Sequence, residues 1–189
     1  MKGFITLHFA LLLVSMVISV VSQYPCNSSY PNMDSATANQ FTFYHTNVYE
    51  LGTRFSVAQN GTVLNLITYV HQGDTTSFVG KIWDTTSTSS PYCTTGSTTF
   101  TTGGWLTITF LNCRIIPGRE YVVSINYEDT TSGFPATAQN FFVTEGSPII
   151  SGDLAIIEAL YTTTPGTYPT LNDNYYYSQG INFVKYSNF

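Results

Sequence analysis

Three short apolar segments, separated by two turn signals, lie between residues 49 and 84 and constrain the fold more than any other part of the chain. The predicted strands cover residues 49–57, 63–71 and 78–83, and Gln59-Asn60-Gly61-Thr62 separates the first two. Asn-Gly between apolar segments is a strong signal for a type I′ hairpin turn, because both residues tolerate a positive φ. The sequence therefore predicts a β-hairpin at Asn60-Gly61, followed by a third strand.

An apolar run over residues 4–21 follows Lys2 and ends in small residues. This pattern predicts a secretory signal peptide at residues 1–22, and an uncleaved membrane anchor is the alternative. The 167 residues that remain are enough for one domain, which we place at residues 48–189 behind an extended N-terminal arm at residues 23–47. The expected location is secreted, extracellular or at the cell surface, with no membrane contact after signal removal.

The charge of the chain disfavours nucleic acid as a partner. Without Lys2, five basic residues stand against eleven acidic ones, which gives a formal charge of −6. No basic stripe remains to contact phosphates. Only 9% of the residues are charged while 15% are aromatic, so we expect a hydroxyl-rich surface with little charge to oppose association.

Three cysteines follow the predicted signal and would meet an oxidising compartment. A disulfide between Cys93 and Cys113 would close a loop of about 20 residues and stabilise the fold by roughly 3 kcal/mol. Cys26 is then the odd cysteine. It either bonds to another chain or is a buried thiol.

Further strands are predicted along the rest of the chain, at residues 40–44, 98–101, 105–110, 121–127, 141–143, 154–161 and 181–186. Alternation places Leu106, Ile108 and Phe110 on one inward face, and it gives Tyr121, Val123, Ile125 and Tyr127 a shared face. Residues 154–160 could instead form two turns of helix, but their context favours a strand.

Two features of the first strands carry further expectations. Gly52 inside the first strand predicts a bulge or a close backbone approach, and the alternation at residues 78–83 predicts a half-buried strand. About nine short strands with turn signals between them indicate an all-β fold, a single antiparallel β-sandwich of Greek-key or jelly-roll type.

The arm contains a candidate strand with apolar surface on both faces, because Phe41 and Phe43 point one way and Tyr44 points the other. It is either the first strand of its own sandwich or a strand lent to a neighbouring subunit. The second interpretation makes Phe41, Phe43, Tyr44 and Cys26 an assembly arm.

No residue pattern indicates catalysis. His45 and His71 have no nucleophile motif beside them. Glu128 and Asp129 are adjacent and would face opposite ways on a strand, so neither they nor Asp153 form the facing carboxylate pair of a glycosidase. The sequence therefore predicts a protein that is not an enzyme.

No metal or cofactor is predicted either. Asp74 and Asp84 could contribute to a calcium site, but no Asp-x-Asp-x-Asp loop supports one, and zinc, phosphate and dinucleotide motifs are absent from the sequence. Asn27 and Asn60 lie in Asn-x-Ser/Thr sequences and are candidate N-glycosylation sites.

Several fragments resemble one known family, and they occur in its order and spacing. They are Glu50-Leu51-Gly52-x-Arg54-Phe55, Gly61-Thr62-Val63, Ile82-Trp83, Gly104-Trp105-x-Thr107-Ile108-x-Phe110, Pro117-Gly118-x-x-Tyr121-Val122, Ala159-Leu160-Tyr161 and Tyr168-Pro169-Thr170. The family is the secreted β-sandwich module known as domain of unknown function 4082. The resemblance implies an extracellular module found in surface and carbohydrate-active proteins, and it implies no catalytic residues.

Two functions are compatible with these observations. The first is a non-enzymatic structural or adhesive protein that assembles with copies of itself through the arm. The alternative is a carbohydrate-binding module that contacts extracellular glycans through Tyr168, Tyr175, Tyr176 and Tyr177, or through the Thr-rich loop after Trp83. Trp83 and Trp105 themselves are expected in the core.

Overall fold

The computed structural model describes residues 42–43, 47–70, 77–128, 134–135, 146–173 and 179–186. The regular structure in these residues is β-strand, and they include no helix that could span a membrane. The strands are β1 (Thr42–Phe43), β2 (Tyr49–Val57), β3 (Gly61–Val70), β4 (Ser77–Phe78), β5 (Gly80–Asp84), β6 (Cys93–Thr94), β7 (Thr98–Thr99), β8 (Gly104–Ile115), β9 (Glu120–Tyr127), β10 (Phe134–Pro135), β11 (Ile149–Ser151), β12 (Leu154–Thr162), β13 (Leu171–Asp173) and β14 (Gln179–Lys185).

Two antiparallel sheets pack against each other. The large sheet has the order β11-β12-β2-β9-β5-β6, with β13 also paired to β12, and the small sheet has the order β14-β3-β8. Short ladders join β1 to β10 and β4 to β7. The chain crosses between the sheets from β2 to β3 and again from β8 to β9. The antiparallel β-sandwich predicted from the sequence is confirmed.

The core lies between the sheets and is built from alternate residues of the central strands. Phe55 and Ile82 of the large sheet and Leu66 and Phe183 of the small sheet are buried in one cluster. Burial of such a side chain contributes roughly 1.5–3 kcal/mol. This apolar layer is therefore the main force that holds the two sheets together.

The predicted hairpin at Asn60-Gly61 is wrong. β2 pairs with β9 and β12, whereas β3 pairs with β14 and β8, so Asn60 lies where the chain crosses between sheets. Gly61 does not adopt the positive φ of a type I′ turn. A Cβ at Gly61 would come within 2.4 Å of the Phe183 ring and 2.3 Å of the Val184 carbonyl oxygen. Position 61 requires glycine because β14 packs closely against it. A turn rule based on neighbouring residues cannot detect this contact with a distant strand.

Alternation correctly predicts the faces of two central strands. Leu106, Ile108 and Phe110 of β8 are buried in the core, as are Tyr121 and Val123 of β9. Both strands are longer than predicted, because pairing with their neighbours extends them beyond the strictly alternating residues.

Two further expectations about the large sheet are confirmed. Residues 154–162 form strand β12, which excludes the helical alternative. Gly52 is a site of close approach, since a Cβ there would lie 2.8 Å from Val122 Cγ1 and 3.2 Å from Pro169 Cγ. The absence of a side chain at Gly52 lets the segment that contains Pro169 rest directly on the sheet.

The half-buried strand predicted at residues 78–83 is wrong in one respect, because β5 is buried on both faces. Ile82 faces the core, and Lys81 and Trp83 on the opposite face are also buried. The second face of β5 is therefore covered, and residues 163–170 supply part of that cover through contacts with Trp83 and its neighbours.

The predicted strand of the arm is described only at Thr42 and Phe43. Their backbone pairs with Pro135 and Phe134 of the same chain. The other residues of the proposed assembly arm, Cys26, Phe41 and Tyr44, lie outside the described residues. Assembly through the arm stays a prediction. At Thr42 and Phe43, the strand pairs with residues of the same chain and not with a second copy.

Candidate functional site

Residues that alternate with the core positions form a second face on the large sheet, here called the outer face. Its members on β2, β9, β5 and β12 are Glu50, Gly52, Arg54, Val122, Ser124, Lys81, Trp83, Glu158 and Leu160. Residues 163–170, which connect β12 to β13, lie on this face and are called the cover loop. The outer face is unusual for a sandwich because it holds both buried charges and a small apolar cluster.

A buried ion pair lies at the centre of the outer face. Lys81 Nζ is 3.0 Å from Glu50 Oε1 and 2.9 Å from Glu50 Oε2. Glu50 is 0% exposed and Lys81 is 8% exposed. Because β9 lies between β2 and β5, the two side chains reach across a whole strand. Such a pair persists only where further hydrogen bonds satisfy the remaining donors and acceptors.

Two groups donate further hydrogen bonds to Glu50, and Trp83 extends the network. Ser124 Oγ donates to Glu50 Oε1 at 2.5 Å and accepts from Trp83 Nε1 at 2.8 Å. The Gly166 backbone N–H in the cover loop donates to Glu50 Oε2 at 2.8 Å. Each carboxylate oxygen of Glu50 thus receives two hydrogen bonds, and the network joins three strands to the cover loop.

Tyr168 brings an aromatic ring to the surface of the cover loop. Its ring meets the buried Trp83 ring edge to face, with centroids 5.9 Å apart and planes at 80°. Trp83, Val122 and Leu160 form the apolar cluster beneath it. Desolvation by burial raises the pKa of the Tyr168 hydroxyl. Tyr168 is therefore packed against the sheet, and the residue is partly exposed to solvent.

A row of partly exposed charges, here called the charged row, lies beside Tyr168. Arg54 contacts Glu158 through Nη2, and its Nη1 is 3.5 Å from Glu120 Oε2. Asn172 Nδ2 donates to Glu158 Oε2. All three charged side chains act electrostatically on the Tyr168 hydroxyl. Tyr168, the charged row and Asn172 together form an exposed aromatic and polar surface, called the platform below.

A family model described as a domain of unknown function, DUF4082, matches residues 35–179 of the 189-residue chain. The chain belongs to the DUF4082 family. Comparison with curated proteins and with solved structures gave no match. The matched residues include the whole platform and the whole network around Glu50, so both features lie within the DUF4082 domain.

The aromatic residues predicted to bind sugars are only partly described in this DUF4082 protein. Tyr168 lies in the platform, whereas residues 175–177 lie outside the described residues. Trp83 is buried, as expected, and supports Tyr168 from below. The expectation that Trp105 lies in the core is wrong, because it alternates with the core residues Leu106 and Ile108. Trp105 is partly exposed and packs edge to face on Tyr69, with centroids 5.5 Å apart.

The remaining predicted sites lie elsewhere in the DUF4082 domain or outside the described residues. Cys93 and Cys113 form a disulfide. Asn60 is exposed on the connection between the two sheets, and its glycosylation stays a prediction. Asn27, like Cys26, lies outside the described part of the chain.

The acidic residues considered for catalysis or calcium binding have protein partners wherever they are described. Asp153 pairs with Lys185 at 3.2 Å, and Glu128 accepts from Asn126 Nδ2 at 2.9 Å. Within the described ranges, no three His, Cys, Asp or Glu side chains are grouped so as to hold a metal ion. His45, His71, Asp74 and Asp129 lie outside those ranges.

Asp84 is the most strongly held of these acids. Its Oδ1 accepts from the Thr86 backbone N–H at 2.9 Å and from the Thr86 hydroxyl at 2.5 Å, and its Oδ2 accepts from Arg119 Nη1 at 2.7 Å. The Thr86 side chain is the largest cause of the lowered pKa of Asp84, and Arg119 adds to it. Asp84 thus fixes the loop after β5 and orients Arg119.

Sequence reasoning missed the charged residues of the outer face. Glu50 shares β2 with Arg54, and Lys81 shares β5 with Asp84, so neither residue is marked as an isolated charge in an apolar strand. Arg54 and Glu158 carry no signal either, because partly exposed charges are common on strands. Their pairing becomes visible only when β2 and β12 are adjacent in the DUF4082 sheet.

Proposed function

We propose that this DUF4082 protein is a non-enzymatic extracellular carbohydrate-binding module and that the platform is its binding surface. The extracellular setting rests on the signal peptide predicted at residues 1–22. The observation that carries the proposal is the partly exposed Tyr168 ring, seated on buried Trp83 beside the charged row.

The chemistry of the platform matches that of a sugar ring. A pyranose has an apolar face of C–H groups and a rim of hydroxyls, so it needs a flat apolar surface and nearby donors and acceptors. Tyr168 offers the flat surface. Arg54 offers N–H donors, while Glu158 and Glu120 offer carboxylate acceptors.

The charge of the platform favours a neutral ligand. One guanidinium stands between two carboxylates in the charged row, and the chain as a whole carries a formal charge of −5. An anionic sugar would be repelled by both. We therefore expect neutral hexose or pentose polymers to bind.

Order in the free protein also supports binding. The Tyr168 ring is already fixed by Trp83, and Arg54 is already held by Glu158. Immobilising a free side chain on binding costs about 0.5–1.5 kcal/mol. Little of that cost remains for a surface whose groups are ordered in advance.

Affinity electrophoresis tests the proposal directly. The mature protein is run in native gels that contain mannan, xylan or β-glucan, and at least one polymer should retard it. Tyr168→Ala should weaken that binding about thirtyfold or more, since truncation of an aromatic anchor costs roughly 2 kcal/mol or more.

Tyr92→Ala is the matched control, because Tyr92 is 51% exposed but packs on Tyr121, away from the platform. Equal retardation of both variants would contradict the platform, and no retardation of the wild type by any polymer would contradict the function.

We propose self-assembly as a second candidate function, with other copies of the chain as partners. Ile150 and Leu171, which are 66% and 49% exposed, lie on the short strands β11 and β13 that flank β12 at one edge of the large sheet. Exposed apolar residues on an edge favour pairing with another chain. Sedimentation velocity should show assemblies that Ile150→Lys with Leu171→Lys dissolves. A wild type that stays monomeric at high concentration would contradict this function.

A further inference from the structure

Besides the contact of the Tyr168 ring with Trp83, the cover loop is attached to the sheet at two described points. At one point the Gly166 N–H donates to the buried Glu50 carboxylate. At the other point Pro169 rests over Gly52, where any side chain would collide with it or with Val122. The Gly166 contact is the polar attachment, and it lies two residues from Tyr168.

The ion pair alone does not explain why a glutamate stands at position 50. Replacing a buried ion pair by apolar residues of similar volume is often neutral or stabilising. Two apolar side chains could therefore cover β9 as well as Glu50 and Lys81 do. An apolar side chain cannot accept the hydrogen bonds from Gly166 and Ser124, which the carboxylate does at 2.8 Å and 2.5 Å.

We propose that Glu50 is a positioning residue for the platform: its buried carboxylate fixes the cover loop through Gly166 and so sets the Tyr168 ring against Trp83. Lys81 balances the charge that this acceptor brings into the sheet, and Ser124 links it to the Trp83 indole. The positioning itself does not depend on a ligand. Its consequence for sugar binding rests on the proposed function.

Two double variants separate the acceptor from the charge. Glu50→Gln with Lys81→Met removes both charges and keeps an oxygen that can accept from Gly166. Glu50→Leu with Lys81→Met removes both charges and the acceptor. Because side-chain volume is similar in the two, a difference between them reports the polar amide, and the Gly166 N–H can bond only to its oxygen. Glu50→Met with Lys81→Met replaces the leucine variant if the branched side chain prevents folding.

Hydrogen exchange of the Gly166 amide, followed by NMR, is the first measurement. Exchange in the leucine variant should be at least about tenfold faster than in the glutamine variant, since loss of one hydrogen bond to a buried acceptor is worth about a factor of ten. The Thr167 amide is an internal reference, because it bonds to the Thr164 carbonyl within the loop. Equal protection of Gly166 in both variants would overturn the proposal. So would an unchanged pattern of contacts between the Tyr168 and Trp83 rings when Gly166 is released.

Retardation in mannan, xylan and β-glucan gels is the second measurement. The leucine variant should fall to the level of Tyr168→Ala, while the glutamine variant should keep most of the wild-type retardation. If no polymer retards the wild type, the carbohydrate function fails, and the exchange result still decides whether Glu50 positions the loop. If the leucine variant binds a polymer as strongly as the wild type even though its Gly166 amide exchanges faster, Glu50 does not position the binding surface.

Discussion

Cys93 of β6 and Cys113 of β8 are joined by a disulfide that links the large sheet to the small sheet. The bond closes a segment with a sequence separation of 20. We expect Cys93→Ala with Cys113→Ala to lower the free energy of unfolding by about 3 kcal/mol, because the unfolded chain regains the freedom that the cross-link removes. Urea titration measures the loss. Reduction should bring the wild type to the same stability and leave the variant unchanged, and a variant as stable as the oxidised wild type would contradict the prediction.

The buried pair of Glu50 and Lys81 should respond very differently to single and double substitution. Lys81→Met leaves the Glu50 carboxylate buried without its counter-charge, and such a change costs about 3–5 kcal/mol. Glu50→Leu combined with Lys81→Met removes both charges and should cost far less. Urea titrations of the wild type, Lys81→Met, Glu50→Leu and the double variant measure the difference. Lys185→Met serves as a control at the partly exposed pair with Asp153, where we expect a loss of about 1 kcal/mol or less. Additive losses at Glu50 and Lys81 would show that the pair is not coupled.

The sequence predicts where the strands of this sandwich lie better than it predicts which strands pair with each other. Alternation in residues 105–110 and 121–127 depends on each strand having one face in the core, and both segments follow it. The Asn60-Gly61 signal is local, and it fails because β2 pairs with β9 while β3 pairs with β14, whose Phe183 packs directly on Gly61. Which strands pair is decided by contacts between distant parts of the chain, which no short window contains.

The same limit applies to the candidate site. Tyr168 could be proposed from sequence because an aromatic residue in a Pro- and Gly-rich loop is a reasonable surface group. The network beneath it could not, because Glu50 and Lys81 lie 31 residues apart on strands that are not neighbours in the sheet. Their contact depends on β9 entering between them.

Acid should weaken the wild type through Asp84. The hydrogen bond from the Thr86 side chain is the main cause of its lowered pKa, and Arg119 contributes as well. Because the folded pKa lies below the unfolded value of about 3.9, ionised Asp84 stabilises the fold above that pH and loses this contribution as pH falls through the folded pKa. Asp84→Asn should therefore be less stable than the wild type at neutral pH, and the gap should close below about pH 4. Urea midpoints against pH measure the gap, and a gap that is constant with pH would contradict the assignment.

Gly61 and Gly96 offer a matched pair of glycine substitutions. A Cβ at Gly61 would meet the Val184 carbonyl oxygen at 2.3 Å and the Phe183 ring at 2.4 Å, whereas a Cβ at Gly96 has no atom within 4 Å. Neither residue has a positive φ, so backbone strain does not separate them. Gly61→Ala should cost at least about 1–3 kcal/mol, because β14 must shift away from β3.

Gly96→Ala should be neutral or stabilise by up to about 1 kcal/mol, since alanine restricts the unfolded chain. Thermal unfolding of both variants measures the contrast, and amide exchange in β14 shows whether that strand has loosened. If the two substitutions have equal effects, Phe183 does not require a glycine opposite it. The crossing at Asn60 would then need another explanation than the packing of β14 against the start of β3.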